Sequence, residues 1–176
     1  FLAARECLVA HGISDGERIA AYGASAGGLL VGASLNLDPQ AFCAAVLDVP
    51  FVDVLRTMEN PDLPLTTAEY TEWGNPDDPD ARRRIGAYSP LDNLAEAPYP
   101  TLFLQGSWHD TRVPYWEPAK LYERLAEPGT DRGPLLLRTD MAAGHGGASG
   151  RFKAWHDGAR QDAYILWALG VVHLEA

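Results

Sequence analysis

The pentapeptide Gly23-Ala24-Ser25-Ala26-Gly27 constrains this chain more than any other stretch of it. Residues 18–22 alternate weakly and read as a short buried strand, whereas residues 26–37 are almost wholly apolar and read as a buried helix. A chain that leaves a strand and enters a helix within five residues must turn tightly, and glycine leaves room for that close approach. G-x-S-x-G in this setting is a nucleophile elbow, which pushes the serine hydroxyl out above the strand end. The first N–H groups of the following helix have no intrahelical partner. Ser25 is therefore the candidate nucleophile, and the Ala26 N–H is placed to stabilise an oxyanion.

Three further segments read as strands, residues 42–49, 101–106 and 135–139, each short, mainly apolar and bounded by Gly, Pro or Asp. Helical patterns occupy residues 1–12, 26–37, 116–125 and 150–169. Continuous apolar strands suit a sheet covered on both faces, and alternation of strand with helix predicts an α/β fold with a mostly parallel sheet and flanking helices. Residues 53–98 break that rhythm with six prolines, Pro61, Pro64, Pro76, Pro79, Pro90 and Pro98, before the strand that starts at residue 101. A helical piece is expected near residues 80–86. So long an excursion over the sheet edge is expected to build binding surface beside the site. Hydrophobic residues make up 47% of the 176, ample for a packed core. Cys43, inside the apolar run 42–49, is expected to be a buried thiol.

A net charge of -10 argues against nucleic acid, which rewards basic faces. No run reaches the eighteen apolar residues of a membrane span. The opening residues 1–9 read as an amphipathic helix rather than a signal peptide.

A nucleophilic serine needs a base, and the base needs an acid to orient it. Of the five histidines, His145 stands apart, in the Gly-rich loop Gly144-His145-Gly146-Gly147 that follows the last strand. Asp110 follows the strand at 101–106, and loops at strand C-termini are where α/β sheets carry chemistry. The order Ser25, Asp110, His145 is that of the α/β-hydrolase fold. Neither metal nor cofactor is expected. His109 beside Asp110 has no H-x-x-H or H-E-x-x-H spacing, and the loop at residues 23–28 lacks the lysine of a phosphate-binding loop.

Longer stretches carry a resemblance. Ala24-Ser25-Ala26-Gly27-Gly28-Leu29-Leu30, Val49-Pro50-Phe51-Val52-Asp53-Val54, Leu63-Pro64-Leu65-Thr66-Thr67 and Glu72-Trp73-Gly74-Asn75-Pro76 are its first half. Tyr115-Trp116-Glu117-Pro118-Ala119-Lys120 and Gly144-His145-Gly146-Gly147 continue it. Together they resemble the oligopeptidase B group of the prolyl oligopeptidase family. The resemblance implies a cytoplasmic serine peptidase that cuts short basic peptides after Arg or Lys, with Ser25, Asp110 and His145 as its triad. It also implies that residues 1–176 are the C-terminal part of the catalytic domain. The first strands of the sheet, a β-propeller and a tyrosine oxyanion donor would lie upstream, so the isolated chain is expected to be inactive and to expose a raw sheet edge.

Within that resemblance Glu69 matches the first of two glutamates that receive the basic side chain. The second falls on Thr71, and Glu72 is expected to point elsewhere, which would weaken the preference. Arg112 matches an arginine that holds peptide carbonyls. Post-proline cleavage in the same family, a carboxylesterase on the same fold and a non-catalytic binding module are the rival readings. Glu69 disfavours the first, ester turnover without peptide turnover would mark the second, and the complete Ser-His-Asp set speaks against the third.

Overall fold

The computed structural model describes residues 1–127 and 133–172. Its helices are α1 (Leu2–Ala10), α2 (Ala26–Leu37), α3 (Val54–Met58), α4 (Tyr70–Trp73), α5 (Pro79–Tyr88), α6 (Trp116–Ala126) and α7 (Arg151–Ala168). The strands β1 (Ala20–Ala24), β2 (Ala44–Asp48), β3 (Thr101–Ser107) and β4 (Leu135–Asp140) pair in chain order into one parallel sheet. Ala20 lies opposite Ala44 and Ala24 opposite Asp48, while Asp48 in turn meets Gln105.

Side chains alternate across a strand, so Ala21, Ala45, Leu47, Leu102 and Leu104 turn to one face and Val46 and Phe103 to the other. The first face is sealed by Val31 and Leu35 of α2 and by Leu121 and Leu125 of α6. The second is covered by α7, whose buried Tyr164 also shares a 2.9 Å hydrogen bond with Thr101 Oγ1. This is the α/β-hydrolase arrangement, with strand C-termini gathered along one sheet edge. Among the described residues β1 pairs with β2 alone, leaving Tyr22 half-exposed on the open side.

Most elements fall where the hydrophobic pattern puts them, with three physical differences. β1 runs two residues later than the 18–22 expected, because pairing with β2 draws Gly23 and Ala24 into the ladder while the Arg18 N–H turns back to Asp15. β2 covers only Ala44–Asp48 of the 42–49 expected, so Cys43 lies just ahead of the strand and is half-buried rather than buried. Helix α1 buries no side chain. It is tied down by Arg5, whose Nε and Nη2 donate to Ala41 O at 2.6 Å and Gly16 O at 3.0 Å.

The Pro-rich excursion packs a second small core against Phe51 and Val113. Phe51, Val54, Met58, Ile85 and Val113 are buried together, with Trp73 and Tyr70 against them. α5 starts where Asp78 accepts the Asp80 and Ala81 N–H groups and Pro79 occupies the first turn.

Steric demand where β1 meets α2 is uneven. A Cβ on Gly28 would lie 2.6 Å from Pro50 Cα, and one on Gly23 would lie 2.6 Å from the Gly27 carbonyl carbon, yet one on Gly27 would meet nothing. Gly28→Ala should therefore cost about 1–3 kcal/mol by overpacking. Gly27→Ala should be neutral or stabilising by up to about 1 kcal/mol from helix propensity. Equilibrium urea unfolding of the two variants checks the contrast, which equal losses would contradict.

Candidate active site

The elbow is built by the β1–β2 ladder. Ser25 N–H donates to Asp48 O at 3.0 Å, one step beyond the strand, and the chain then enters α2 at once. That junction holds Ser25 at φ 54° and ψ −123°, a conformation L-residues rarely adopt. Its carbonyl accepts from Gly28 N, Leu29 N and Phe51 N, so the elbow is bonded both to α2 and to the segment after β2. Ala26 begins α2, with its N–H among those that have no intrahelical acceptor.

Two loops bring the partners of Ser25 together. Past β3, Trp108 N–H donates to Asp140 O at 2.8 Å and His109 N–H to Ala143 O at 3.0 Å, lacing the Asp110 loop to the His145 loop. Asp110 Oδ1 accepts the Arg112 and Val113 N–H groups at 2.8 and 2.9 Å. Its Oδ2 lies 2.8 Å from His145 Nδ1, and its side chain is fully enclosed. A carboxylate acceptor opposite Nδ1 leaves the proton on that nitrogen and turns Nε2 into an acceptor. Nε2 lies 3.0 Å from Ser25 Oγ, so the hydroxyl donates to it. The three residues chosen from the sequence thus form one hydrogen-bonded line.

The His145 loop is anchored by charge. Arg138 bridges Asp140 and Asp157 at 3.1 Å each, and Asp140 Oδ1 accepts the Ala142 N–H. That N–H, with Lys153 and Arg138 nearby, holds the Asp140 carboxyl below the usual carboxylate range.

A cavity of about 140 Å³ opens beside Ser25 and Ala26. Phe51, Thr57, Met58, Trp73 and Val113 form walls, and Glu69, Glu72 and Arg112 supply charge. Glu69 is steadied by Trp73 Nε1, which donates to its Oε2 at 3.0 Å. Glu72 lines the cavity instead of pointing elsewhere. Residues three apart on a helical turn share a face, so Glu69, which caps α4, and Glu72 within it both line the cavity while Thr71 is left outside the lining. Arg112 is exposed. A second cavity of about 310 Å³ lies across Ser25 and His145, lined by Asp48, Gln105, Asp157 and Gln161. Among the described residues no three His, Cys, Asp or Glu side chains converge as a metal site, and no helix is long and apolar enough to cross a membrane.

The model of the prolyl oligopeptidase family matches residues 1–172. The chain belongs to the prolyl oligopeptidase family. It is 46% identical over 171 residues to dipeptidyl aminopeptidase BI of Pseudoxanthomonas mexicana, and 43% identical to Protease 2 of Moraxella lacunata. Oligopeptidase B from Leishmania major superposes with a TM-score of 0.93 at 44% identity, covering 98% of this chain and 24% of that one. A prolyl endopeptidase structure matches at 30% identity with a TM-score of 0.89. The chain spans about a quarter of the length of these prolyl oligopeptidase family relatives, 24% and 25% of the first two.

Backbone strain at Ser25 is testable apart from any activity. A residue held at such φ and ψ costs about 1–3 kcal/mol, part of which glycine escapes. Ser25→Gly should be more stable than Ser25→Ala by about 1 kcal/mol, because alanine keeps the Cβ that creates the strain. Thermal or urea unfolding decides it, and equal stability would mean the elbow is relaxed.

Proposed function

We propose that this chain carries the nucleophile of a serine peptidase that hydrolyses short peptides after Arg or Lys. The observation that supports this most is the Ser25–His145–Asp110 line opening onto a pocket that holds Glu69 and Glu72. Ser25 Oγ attacks the scissile carbonyl while His145 Nε2 takes its proton and passes it to the leaving amine. Asp110 orients the imidazole and stabilises its charged form. The Ala26 N–H donates to the oxyanion, and water then releases the acyl group by the same proton route. Glu69 and Glu72 receive the guanidinium or ammonium in a partly desolvated cavity, where charge-assisted hydrogen bonds are strong. Arg112, at the cavity rim, donates to a peptide carbonyl. The further strands, a second oxyanion donor and a β-propeller are proposed to precede residue 1, as the greater length of the relatives supports. A cytoplasmic setting is carried over from the family resemblance alone.

A second reading has one specific support, the relative at 46% identity called a dipeptidyl aminopeptidase. It would require a free α-amine two residues before the cut.

The test is amide hydrolysis by the complete peptidase on matched substrates ending in Arg, Pro or Leu, each with a blocked or a free amino terminus. Cleavage of the blocked Arg substrate is expected, and cleavage of free-amine dipeptide amides alone would favour the second reading. Ser25→Ala should lose about 10⁶ in kcat; near-wild-type turnover would remove Ser25 from the chemistry. Glu69→Gln and Glu72→Gln should each lower kcat/KM for Arg by about tenfold and leave Leu nearly unchanged.

A further inference from the structure

One buried carboxylate has no part in the chemistry above. Glu117, in the first turn of α6, is wholly enclosed. Its Oε2 accepts the Val52 and Asp53 N–H groups, both at 2.8 Å, and its Oε1 accepts the Thr57 hydroxyl at 2.7 Å. These three donors belong to the segment that runs from the elbow to the cavity wall. Phe51 N–H bonds the Ser25 carbonyl at one end, and Thr57 and Met58 face the cavity at the other. Thr57 O in turn accepts Thr66 Oγ1 at 2.9 Å, so a second wall residue hangs from the same support.

Burial of a carboxylate is costly unless its oxygens are well satisfied. A fold needing only apolar packing here would be served by an apolar residue of similar size. Charged groups around Glu117 tie the segment to α6 and to Asp92. Asp53 of the same segment is fully buried and bound at 2.7 Å by both Arg56 and Lys120, the latter on α6, and Arg56 also reaches Asp92 at 2.7 Å. Burial, with Asp53 close by, pushes the Glu117 carboxyl up from 4.5 to about 7.

We propose that Glu117 is a positioning residue for substrate binding, whose carboxylate holds the Phe51–Thr57–Met58 wall in place while taking no part in the reaction at Ser25. The proposal rests on the pocket reading given above, and it separates binding from chemistry. Protonating or neutralising Glu117 removes an acceptor of charged strength from three donors, so the wall slackens where a side chain must fit. The elbow keeps its own bonds to Asp48 and Gly28.

Glu117→Gln is nearly isosteric: its oxygen still accepts from Val52 and Asp53, but its amide must donate to Thr57. In the complete peptidase this variant should weaken binding of benzamidine, a flat cation used to probe the pocket, by about threefold to tenfold. The KM for an Arg-ended amide should rise in step with kcat within about twofold of wild type. Labelling of Ser25 by a small fluorophosphonate, which needs only the elbow and His145, should proceed at the wild-type rate. A readout independent of the site is stability against pH. A carboxyl raised in the folded state contributes stability that is lost as pH rises from about 4.5 to 7, so the wild-type-minus-Glu117→Gln stability difference should fall over that range, and a flat difference would mean the Glu117 carboxyl is not raised. Unchanged benzamidine affinity and KM would overturn the proposal. So would fluorophosphonate labelling that slows in parallel with binding, because Glu117 would then act on the whole site. If benzamidine binds neither protein, the basic-pocket reading fails instead. The Glu117 proposal is then decided by KM for a Leu-ended amide, which should rise by the same factor, and no rise overturns it.

Discussion

The hydrogen bond from Ser25 N–H to Asp48 O is the constraint on which the site depends. It adds one rung to the β1–β2 ladder after the strand has ended, and so holds Ser25 in register with the sheet while the next residue is already helical. The positive φ follows from those two demands on one residue. Strain of about 1–3 kcal/mol persists only where the surroundings over-determine the conformation. Here the sheet supplies one side, and the buried Val31 and Leu35 of α2 supply the other. Close approach at Gly23 and Gly28 lets the helix sit directly against the strand end. A serine on a free loop would relax, and its hydroxyl would not stay in line with His145.

The same elbow organises what surrounds it. Its carbonyl accepts Phe51 N–H, which begins the wall of the adjoining cavity, and Glu117 carries that wall from the opposite side. His145 is fixed independently, through backbone bonds between its loop and the Asp110 loop and through Arg138 between Asp140 and Asp157. Ser25, His145 and the cavity wall thus rest on separate supports from β2, β4 and α6. This division explains why binding and chemistry are expected to respond to different substitutions.

Much of this was legible in the residues because local signals and tertiary demands agree. The boundaries of α2 are those its apolar run predicts, since Ser25 stops the strand and Asp38 ends the helix. Ser25, Asp110 and His145 could be chosen because each follows a strand, and a parallel sheet collects strand C-termini at one edge. What was hidden depends on turns or on partners distant in sequence. β1 shifted because its register is set by β2, not by its own alternation. Glu72 reached the cavity because residues 70–73 form a single helical turn too short to show a period. Glu117 looked like an ordinary acidic residue at a helix start, and its role arises only when Val52, Asp53 and Thr57 fold against it from sixty or more positions away.

The most direct test of the account is to map the covalent adduct formed when the complete peptidase reacts with a peptidyl-arginine diphenyl phosphonate. The reagent needs a nucleophile, an oriented base and a basic pocket at once. A single phosphonyl group on Ser25, absent from His145→Ala and much slower to form with the leucine analogue, is the predicted result. An adduct on another residue, or none on a protein that still hydrolyses peptides, would contradict the assignment of Ser25 as the nucleophile.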